Sequence, residues 1–344
     1  MSSFQLLYLS TRRLNTSGAR IFDKVSTQQF LKQAPLDHYS APKNPIVLCH
    51  GFSGFDKLTL IPGPGELPHN KEKQLQEVVS KGILEFDYWR GIQFALESIG
   101  SQVLIARVPA FDDIKSRAIN LDHFLNKSCK KIQEELSKPD TPIELNLISH
   151  SMGGLDSRYL ISKLHGNNSR YKISSLTTIS TPHHGSECAD FITDLVGDNK
   201  VISQLVPKSI FEMTTANMEA FNKTVLDDPQ VNYFSYGARF NPRWYNFFNL
   251  TWLITKYKIQ TKKKSNKTES EFQSLVDNDG LVSVASSKWG QYMGTFDEVD
   301  HLDLINWTND ARSTFNKIMF NQDPPFNPIL LYLEIANNLA KKGF

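Results

Sequence analysis

Short apolar runs alternate along the first half of the chain with longer stretches in which apolar residues recur three or four positions apart. Four segments have the length and apolar character of strands: 45–49, 102–108, 144–148 and 176–179. Three longer segments have the spacing of helices: 86–99, 116–137 and 153–164. Because strand and helix alternate, the pattern predicts an α/β fold with a mainly parallel sheet and helices on both faces.

Three further segments stand outside this alternation. Residues 58–81 are rich in proline and glycine and then charged, which predicts a surface insertion. Residues 188–224 mix apolar and polar side chains without strand signals, so we expect a helical lid over the sheet, with a fixed helical cap as the alternative. Residues 329–342 predict a C-terminal amphipathic helix. No repeat or linker divides the chain, so residues 41–344 are expected to form one domain.

The composition suits a large folded domain, because 40% of the 344 residues are apolar and 22% are charged. A formal net charge of +2 gives no reason to expect nucleic acid as a partner. The three lysines at 262–264 are interpreted as a solvated loop, with contact to anionic lipid as the less favoured alternative. No apolar run reaches the ~18 residues of a membrane span, so we expect at most peripheral membrane contact.

The N-terminus has the character of a targeting segment. Residues 1–22 contain Arg12, Arg13 and Arg20, several hydroxyl side chains, and no acidic residue before Asp23. Apolar residues among them can share one broad helical face, which is typical of a mitochondrial transit peptide and less so of a secretory signal. We therefore predict that residues 1–40 direct the protein to the mitochondrion, with a disordered tail as the alternative.

Candidate chemistry begins at Ser151, which lies between a predicted strand and a predicted helix. The residues from Ser149 to Gly153 nearly match the nucleophile-elbow motif G-x-S-x-G, but serine stands at the first glycine position. Small residues are needed on both sides of the nucleophile because strand and helix approach closely there. Gly153 meets this need and Ser149 meets it in part, so Ser151 is predicted to be a nucleophile in a strand–turn–helix elbow.

A nucleophilic serine needs a histidine base and a carboxylate that orients the base. In a fold of this kind the three follow in the order serine, acid, histidine, on loops at strand ends. Asp279 lies in the tight-turn sequence Asn278-Asp279-Gly280, and His301 follows it by 22 positions. We therefore predict a catalytic triad of Ser151, Asp279 and His301.

The same chemistry needs backbone N–H groups that stabilise the oxyanion formed on the substrate. One donor is expected from the residue after the nucleophile, Met152. The second is expected from Phe52, because His50 and Gly51 end an early strand and the flexible glycine lets that N–H turn inward.

Five blocks of sequence resemble the triacylglycerol lipases of Gram-negative bacteria and the yeast mitochondrial lipases that share their ancestry. The blocks are IVLCHGFSGFDKL, YWRGIQFALESIGSQVLIARVPAF, LNLISHSMGGLDSRYL, SLTTISTPHHGSECADF, and NDGLVSVASSKWG with DHLDLIN. The resemblance implies an α/β-hydrolase fold, the triad named above, and an acylglycerol substrate met at a lipid–water interface. Two alternatives remain open: another serine hydrolase, such as a phospholipase, lysophospholipase, esterase or acyltransferase, and a non-catalytic lipid-binding protein.

The bacterial relatives also imply a structural calcium ion near the catalytic histidine, but this chain departs from their pattern. Asp303 matches one carboxylate ligand, whereas Trp307 stands where a glutamine ligand is expected. No aspartate occurs between Asp228 and Asp277 to supply the other carboxylate. Since calcium takes six to eight oxygen ligands, we expect neither a metal nor another cofactor, and we expect Asp303 to be a loop or helix-start residue.

Overall fold

The computed structural model describes residues 38–53, 57–59, 85–137, 141–166, 169–197, 199, 203–204, 206–242, 246–261, 276–307 and 326–344. The predicted targeting segment, apart from its last three residues, lies outside the described residues. The same holds for most of the predicted surface insertion at 58–81. The targeting function and the insertion therefore stay predictions.

Strands and helices alternate through most of the described chain. The strands are β1 (Ile46–Cys49), β2 (Lys57–Thr59), β3 (Glu85–Asp87), β4 (Val103–Ile105), β5 (Ile143–His150), β6 (Tyr171–Ile179), β7 (Asn232–Arg239) and β8 (Gln291–Asp297). The helices are α1 (Ile92–Ser98), α2 (Ile114–Glu135), α3 (Gly153–Tyr159), α4 (Glu187–Val196), α5 (Lys208–Glu212), α6 (Thr215–Thr224), α7 (Asn249–Thr261) and α8 (Pro328–Lys341). A π-helical turn, Leu160–Leu164, continues α3, and a short 3-10 helix spans Asp303–Ile305.

The main sheet has six parallel strands in the order β4-β1-β5-β6-β7-β8. Strands β2 and β3 form a separate antiparallel pair. Parallel neighbours bring their carboxyl ends to the same edge of the sheet, which is where ligands bind in open α/β folds. The loops after β1, β5 and β8 therefore meet at one edge, and they carry Phe52, Ser151 and His301.

Both faces of the sheet are covered, as the sequence predicts. Along β1 the side chains alternate: Ile46 and Leu48 enter one apolar cluster with α1 and α8, and Val47 and Cys49 enter another with α2. Burial raises the pKa of the Cys49 thiol to about 12, so this cysteine acts as a small buried side chain. A strand buried on both faces explains why residues 45–49 are continuously apolar instead of alternating.

One predicted element is partly wrong. Residues 86–99 were expected to form one helix, but the helix begins only at Ile92 and Glu85–Asp87 forms β3. The reason is Gly91, whose φ of 72° lies in the left-handed region and interrupts any helix running through it. Tyr88 and Trp89 are apolar at positions that fit a helical pattern, but they are buried in a turn before the helix.

The stretch expected to be a lid is helical and contains α4, α5 and α6. Whether these helices move stays a prediction. Helix α7, which follows β7, packs beside α4 and was not predicted from the sequence. Within the described part of the chain, no helix is both long and apolar enough to cross a membrane.

Candidate active site

Ser151 occupies the sharp turn between β5 and α3. Its φ of 54° is in the left-handed region, which residues other than glycine seldom adopt. Two hydrogen bonds hold it there: its N–H donates to the carbonyl of Ile179 at 2.9 Å, and its carbonyl accepts from the Thr181 hydroxyl at 2.7 Å. The predicted strand–turn–helix arrangement is confirmed, with the serine on a turn whose strain is offset by its neighbours.

The turn leaves room only for small residues, as expected. A Cβ on Gly153 would come within 2.6 Å of the His50 carbonyl oxygen. At the other position, Ser149 is fully buried and its hydroxyl lies 2.9 Å from the hydroxyl of Ser157 on α3. Serine fits at 149 because a second small hydroxyl residue faces it.

Asp279 and His301 are brought together as predicted. The Nδ1–H of His301 donates to Oδ2 of Asp279 at 2.6 Å, and Asp279 is fully buried. The other carboxylate oxygen accepts the backbone N–H groups of Leu281 and Val282 at 3.0 and 2.8 Å, in a turn completed by Gly280 with a φ of 100°. Because Nδ1 carries the proton, Nε2 of His301 is left as the atom that can accept one.

A chain of hydrogen bonds ties the backbone of His301 to the loop after β1. The N–H of Gly51 donates to the Tyr88 hydroxyl at 2.8 Å, and this hydroxyl lies 2.7 Å from Nδ1 of His150. Since an amide N–H can only donate, the phenol hydrogen goes to His150. The Nε2–H of His150 then donates to the His301 carbonyl at 3.1 Å. Burial, and next the nearby His301, hold the pKa of His150 well below its usual value, so it stays neutral.

Ser151 is not hydrogen-bonded to His301, although the residue before it contacts the His301 ring. The ring of His150, the residue before Ser151, is 4.5 Å from the His301 ring. The hydroxyl of Ser151 makes no hydrogen bond to His301 or to any other described residue. The structure therefore pairs Asp279 with His301, and it joins the third predicted member, Ser151, to this pair only through the neighbouring His150. Catalytic hydrogen bonds are often long until substrate binds.

The loop after β1 is held by a buried arginine. Arg117, on α2, donates from Nη2 to the carbonyls of His50 and Gly51 at 2.9 and 3.2 Å. Its Nε donates to Asp156 on α3 at 2.9 Å, and Arg117 and Asp156 are both almost completely buried. Burial raises the pKa of Asp156 to about 6, although the Arg117 charge acts in the opposite direction. One guanidinium thus fixes the loop after β1 relative to the helix that starts at the nucleophile.

His50 donates a further hydrogen bond to the carbonyl of Gly51, which Arg117 also contacts. The N–H of Val108 donates to Nε2 of His50 at 3.3 Å, so the ring proton is on Nδ1, which lies 2.9 Å from the Gly51 carbonyl and donates to it. In a trans peptide the C=O of Gly51 and the N–H of Phe52 point in opposite directions. With the carbonyl held by His50 and Arg117, the Phe52 N–H must point away from them. Burial, and next the charge of Arg117, lower the pKa of His50 to about 3.

Neither predicted oxyanion donor is used in a hydrogen bond within the described part of the protein. The backbone N–H groups of Phe52 and Met152 have no hydrogen-bond acceptor among the described residues. Gly51 is required here, although for a different reason from the one expected. Its φ is not in the left-handed region, but a Cβ would come within 2.6 Å of the Ser151 Cβ. The glycine supplies space and not conformational freedom.

No protein-family model matches the chain. Triacylglycerol lipase 2 of Saccharomyces cerevisiae is 42% identical over 328 residues, which cover 90% of this chain and 94% of the yeast protein. The chain belongs to the triacylglycerol lipase family.

Bacterial members of the family and a solved structure extend the likeness. The triacylglycerol lipase of Pseudomonas fragi is 25% identical and covers 87% of this chain and 97% of its own length. The crystal structure of Staphylococcus hyicus lipase matches with a TM-score of 0.57 at 19% identity, covering 88% of this chain and 97% of that one. The fold expected for the family, an α/β-hydrolase, is therefore confirmed.

The residues at the metal position expected from bacterial lipases do not fit calcium. Asp303 opens the short 3-10 helix, and its Oδ2 accepts the Asp300 N–H at 3.1 Å. Trp307 offers an indole N–H and no oxygen. No group of three or more His, Cys, Asp or Glu that could hold a metal occurs in the described ranges. We derive no step through a metal, and independence of calcium stays a prediction.

Sequence reasoning missed the supporting residues of this lipase-family site. Arg117, Tyr88 and His150 were not singled out, and His50 was noted only for its place at a strand end, although each bonds a loop that carries a predicted site residue. Two weak signals were available: His150 ends an apolar strand and His50 directly follows one, and Arg117 interrupts the apolar face of α2. A charged or polar residue on a buried face needs partners, but the sequence does not say which ones.

Proposed function

We propose that this protein is a serine-dependent lipase that hydrolyses the carboxylic ester bonds of triacylglycerols, and of diacylglycerols, to release fatty acids. The observation that carries the proposal is the 2.6 Å hydrogen bond from His301 to buried Asp279, placed by strand ends beside the Ser151 turn. Membership of the triacylglycerol lipase family supports the substrate class. The alternatives, a phospholipase or general esterase of the same fold, differ in substrate and not in this machinery.

In the first half of the reaction, the Ser151 oxygen forms a bond to the ester carbonyl carbon while its proton moves to Nε2 of His301. The carbonyl π electrons move onto oxygen and create a tetrahedral oxyanion. Asp279 holds the imidazole in position and stabilises its charged form. When the intermediate collapses, the carbon–oxygen bond to glycerol breaks and His301 returns the proton to the glycerol oxygen.

The N–H groups of Phe52 and Met152 stabilise the oxyanion in this scheme. Neither N–H group donates to an acceptor among the described residues. Both belong to segments that are fixed before the substrate arrives. Donors that are already oriented need no reorganisation as negative charge develops, and each is worth ~10²–10³ in kcat.

In the second half, water replaces the alcohol. His301 takes a proton from water as its oxygen attacks the acyl carbon, and the same two N–H groups stabilise the second oxyanion. Collapse breaks the bond to Ser151, which regains its proton from His301, and the fatty acid leaves. The enzyme returns to its starting protonation state without a cofactor.

The nucleophile is tested by Ser151→Ala, which we expect to abolish hydrolysis of a water-soluble p-nitrophenyl ester while the protein remains folded. Ser180→Ala is a matched control, since Ser180 also follows a strand, has a φ of 47°, and is buried. A fluorophosphonate should label the wild type and Ser180→Ala, but not Ser151→Ala. If Ser151→Ala is labelled and active, the nucleophile is elsewhere and the proposal fails.

The substrate class is tested by a panel of emulsified triacylglycerol, diacylglycerol and phospholipid. We expect the acylglycerols to be hydrolysed fastest, with all activity lost in Ser151→Ala. Preference for phospholipid would replace the triacylglycerol assignment by a phospholipase assignment. Binding of lipid without hydrolysis of any ester would favour the non-catalytic alternative.

We also propose that residues 1–40 direct the protein to the mitochondrion. The support is the arginine-rich and hydroxyl-rich composition of residues 1–22, with no acid before Asp23. A fluorescent protein fused to residues 1–40 should localise to mitochondria. A version with Arg12, Arg13 and Arg20 replaced by glutamine should remain in the cytosol. Diffuse fluorescence from the unaltered fusion would refute this proposal and leave the catalytic one intact.

A further inference from the structure

Asp300, the residue before His301, is a buried carboxylate. It is 3% exposed, although aspartates on loops normally face water. A carboxylate removed from water is costly unless its oxygens accept hydrogen bonds, so its surroundings must supply donors. Because Asp300 adjoins the histidine that accepts the proton of Ser151 in the proposed reaction, whatever fixes Asp300 also constrains that histidine.

One oxygen of this carboxylate fixes the turn that contains His301. Oδ1 of Asp300 accepts the backbone N–H groups of Leu302 and Asp303 at 3.0 and 2.9 Å. In return, Oδ2 of Asp303 accepts the N–H of Asp300 at 3.1 Å. The two aspartates thus bond each other's backbone, in the manner of the capping box at a helix start. His301 lies between them, so its backbone is held from both sides.

The other oxygen joins this turn to the segment after β7. Oδ2 of Asp300 accepts a hydrogen bond from Nδ2 of Asn246 at 3.0 Å. The orientation of the Asn246 amide follows from its second contact, in which Oδ1 accepts the Phe248 N–H at 2.7 Å. Since a backbone N–H can only donate, the amide oxygen faces Phe248 and the amino group faces Asp300. The bond between the two side chains therefore has a fixed direction.

Phe248 completes the connection to the candidate active site. Its ring centre lies 6.4 Å from that of His301, in an edge-to-face arrangement. A Cβ on Gly280, the residue after Asp279, would come within 2.8 Å of the Phe248 ring, so this ring also borders the turn of the acid. The contacts form a closed set, which we call the histidine brace: Asn246, Phe248, Asp300 and His301. In a closed set of packed side chains, a shift of one member disturbs the contacts of the others.

We propose that Asp300 and Asn246 are positioning residues for the reaction, and that their hydrogen bond keeps the His301 ring aligned with Asp279. The inference rests on the proposed function, because the alignment affects a rate only if His301 moves a proton. Neither positioning residue touches the substrate in this role. The expected effect follows from the sensitivity of catalysis to geometry, since a misplacement of ~1 Å can cost ~10² in rate.

The test is a cycle of variants that breaks the hydrogen bond and forms it again in the opposite direction. Asp300→Asn turns two amino groups towards each other, because the N–H groups of Leu302 and Asp303 still need the remaining oxygen. Asn246→Asp turns two carboxylates towards each other. With both substitutions, the amino group on the His301 turn donates to a carboxylate on the segment after β7. The double variant therefore tests the bond itself and not the effect of either substitution alone.

Asn241→Asp is the matched control. The Asn241 amide donates to the Glu298 carboxylate, so this contact joins the same two segments, but Asn241 is exposed and neither residue adjoins His301. The substitution again places two carboxylates together, here where water and salt screen the charges. For each variant, kcat and KM are measured on water-soluble p-nitrophenyl acetate, and urea unfolding measures stability separately.

We expect each single variant of the brace to lose about tenfold to a hundredfold in kcat with little change in KM, and the double variant to recover most of the loss. The control should keep the wild-type kcat. A second readout needs no turnover: the proton in the hydrogen bond from His301 to Asp279 is observed by NMR and identified by its loss in Asp279→Asn. Its resonance should change in both single variants and return in the double variant.

Three outcomes would overturn the proposal: folded single variants with the wild-type kcat, an unchanged proton resonance in those variants, or a double variant no better than the single ones. If Asp300→Asn does not fold, Asn246→Ala removes the donor without adding charge and gives the same comparison with the control. If the wild type hydrolyses no ester but the resonance follows the cycle, the brace positions His301 and the proposed function fails.

Discussion

Two regions near the candidate active site treat their side chains in opposite ways. Around the loop after β1, the charged side chains of Arg117 and Asp156 are buried and paired, whereas the outer face of α7 exposes apolar side chains. Arg117 and Asp156 are almost completely buried and joined at 2.9 Å, and Arg117 also fixes the carbonyls of His50 and Gly51. On α7, by contrast, Leu250 and Leu253 are at least half exposed. Each region departs from the usual rule that charge is outside and apolar surface inside.

The two departures are suited to different tasks. Buried, fully oriented donors are strong because little water competes with them, and they suit groups that must not move during a reaction. Exposed leucines add little to folding stability because they stay in contact with water, and a cluster of them suits a surface that is buried only when a partner binds. Variants of the first region should therefore change kcat on any ester, whereas variants of the second should leave kcat on a water-soluble ester unchanged.

The largest effect is expected from Asp279→Asn. An amide in place of the carboxylate favours the wrong tautomer of His301, so kcat on a soluble p-nitrophenyl ester should fall by ~10⁴. The substitution is nearly isosteric, and circular dichroism should show the native fold. A loss below tenfold would mean that the 2.6 Å contact to His301 is structural and not part of the reaction.

Arg117→Met should reduce both stability and rate. Removing the guanidinium leaves Asp156 buried without its partner, which costs ~3–5 kcal/mol of the free energy of unfolding. It also releases the Gly51 carbonyl, so kcat should fall by ~10² through a misoriented Phe52 N–H. Urea unfolding and steady-state kinetics measure the two quantities.

Arg158→Met is the matched control for this prediction. Arg158 is 2% exposed on α3 and is bonded to Asn222 and the Val225 carbonyl, away from the oxyanion loop. It should lose stability without a comparable loss of kcat. Equal losses of kcat in the two arginine variants would remove the special role of Arg117.

Acid should destabilise the protein through its buried neutral histidines. The folded pKa of His50, about 3, lies below its unfolded value, so its contribution to stability is complete above pH ~6.5 and is lost as pH falls towards 3. The loss is on the order of a few kcal/mol at about pH 4.5, and His150 acts in the same direction. His50→Gln should lose correspondingly less on acidification in urea unfolding, whereas His123→Gln, at an exposed position on α2, should behave like the wild type.

Tyr88→Phe tests the hydrogen-bond chain between the loop after β1 and His301. It leaves the Gly51 N–H and Nδ1 of His150 without partners, at a cost of ~1–3 kcal/mol in stability. We expect kcat on a soluble ester to fall about tenfold with little change in KM, because His301 is positioned less well. Tyr332→Phe is the control, since the Tyr332 hydroxyl is buried without a hydrogen-bond partner in the structure as described. If both variants keep the wild-type kcat, the hydrogen bonds through Tyr88 and His150 do not position His301.

The smallest effects are expected at Ser149. Ser149→Gly restores the usual motif but leaves the Ser157 hydroxyl unpaired, and should cost at most ~1 kcal/mol. Ser149→Val places a branched side chain against Ser157 and should cost ~1–3 kcal/mol through overpacking. Melting temperature and esterase rate measure both. Identical behaviour of the two variants would show that position 149 is not tightly packed beneath Ser151.

Much of the fold could be predicted from the sequence, and the accuracy differed between its two halves. The strands β1, β4, β5 and β6 and the helices α1, α2 and α3 were predicted, because buried strands and amphipathic helices have distinct periods, whereas β2 and β3 were not. Strands β7 and β8 and helix α7 were missed. β7 and β8 mix aromatic residues with serine, glycine and threonine without regular alternation, and α7 is apolar on both faces. No clear period separates such segments from a loop or from one another.

The sequence by itself determined the chemistry at three points: a serine in a small-residue turn, an aspartate in an Asn-Asp-Gly turn, and a histidine downstream. Local turn geometry is encoded by nearby residues, so these positions could be recognised one by one. Only the tertiary structure decided that His301 meets Asp279 and that Arg117, Tyr88 and His150 hold the surrounding loops. Those contacts join residues 22 to 151 positions apart. They depend on the order and register of the parallel strands, which no local pattern of side chains specifies.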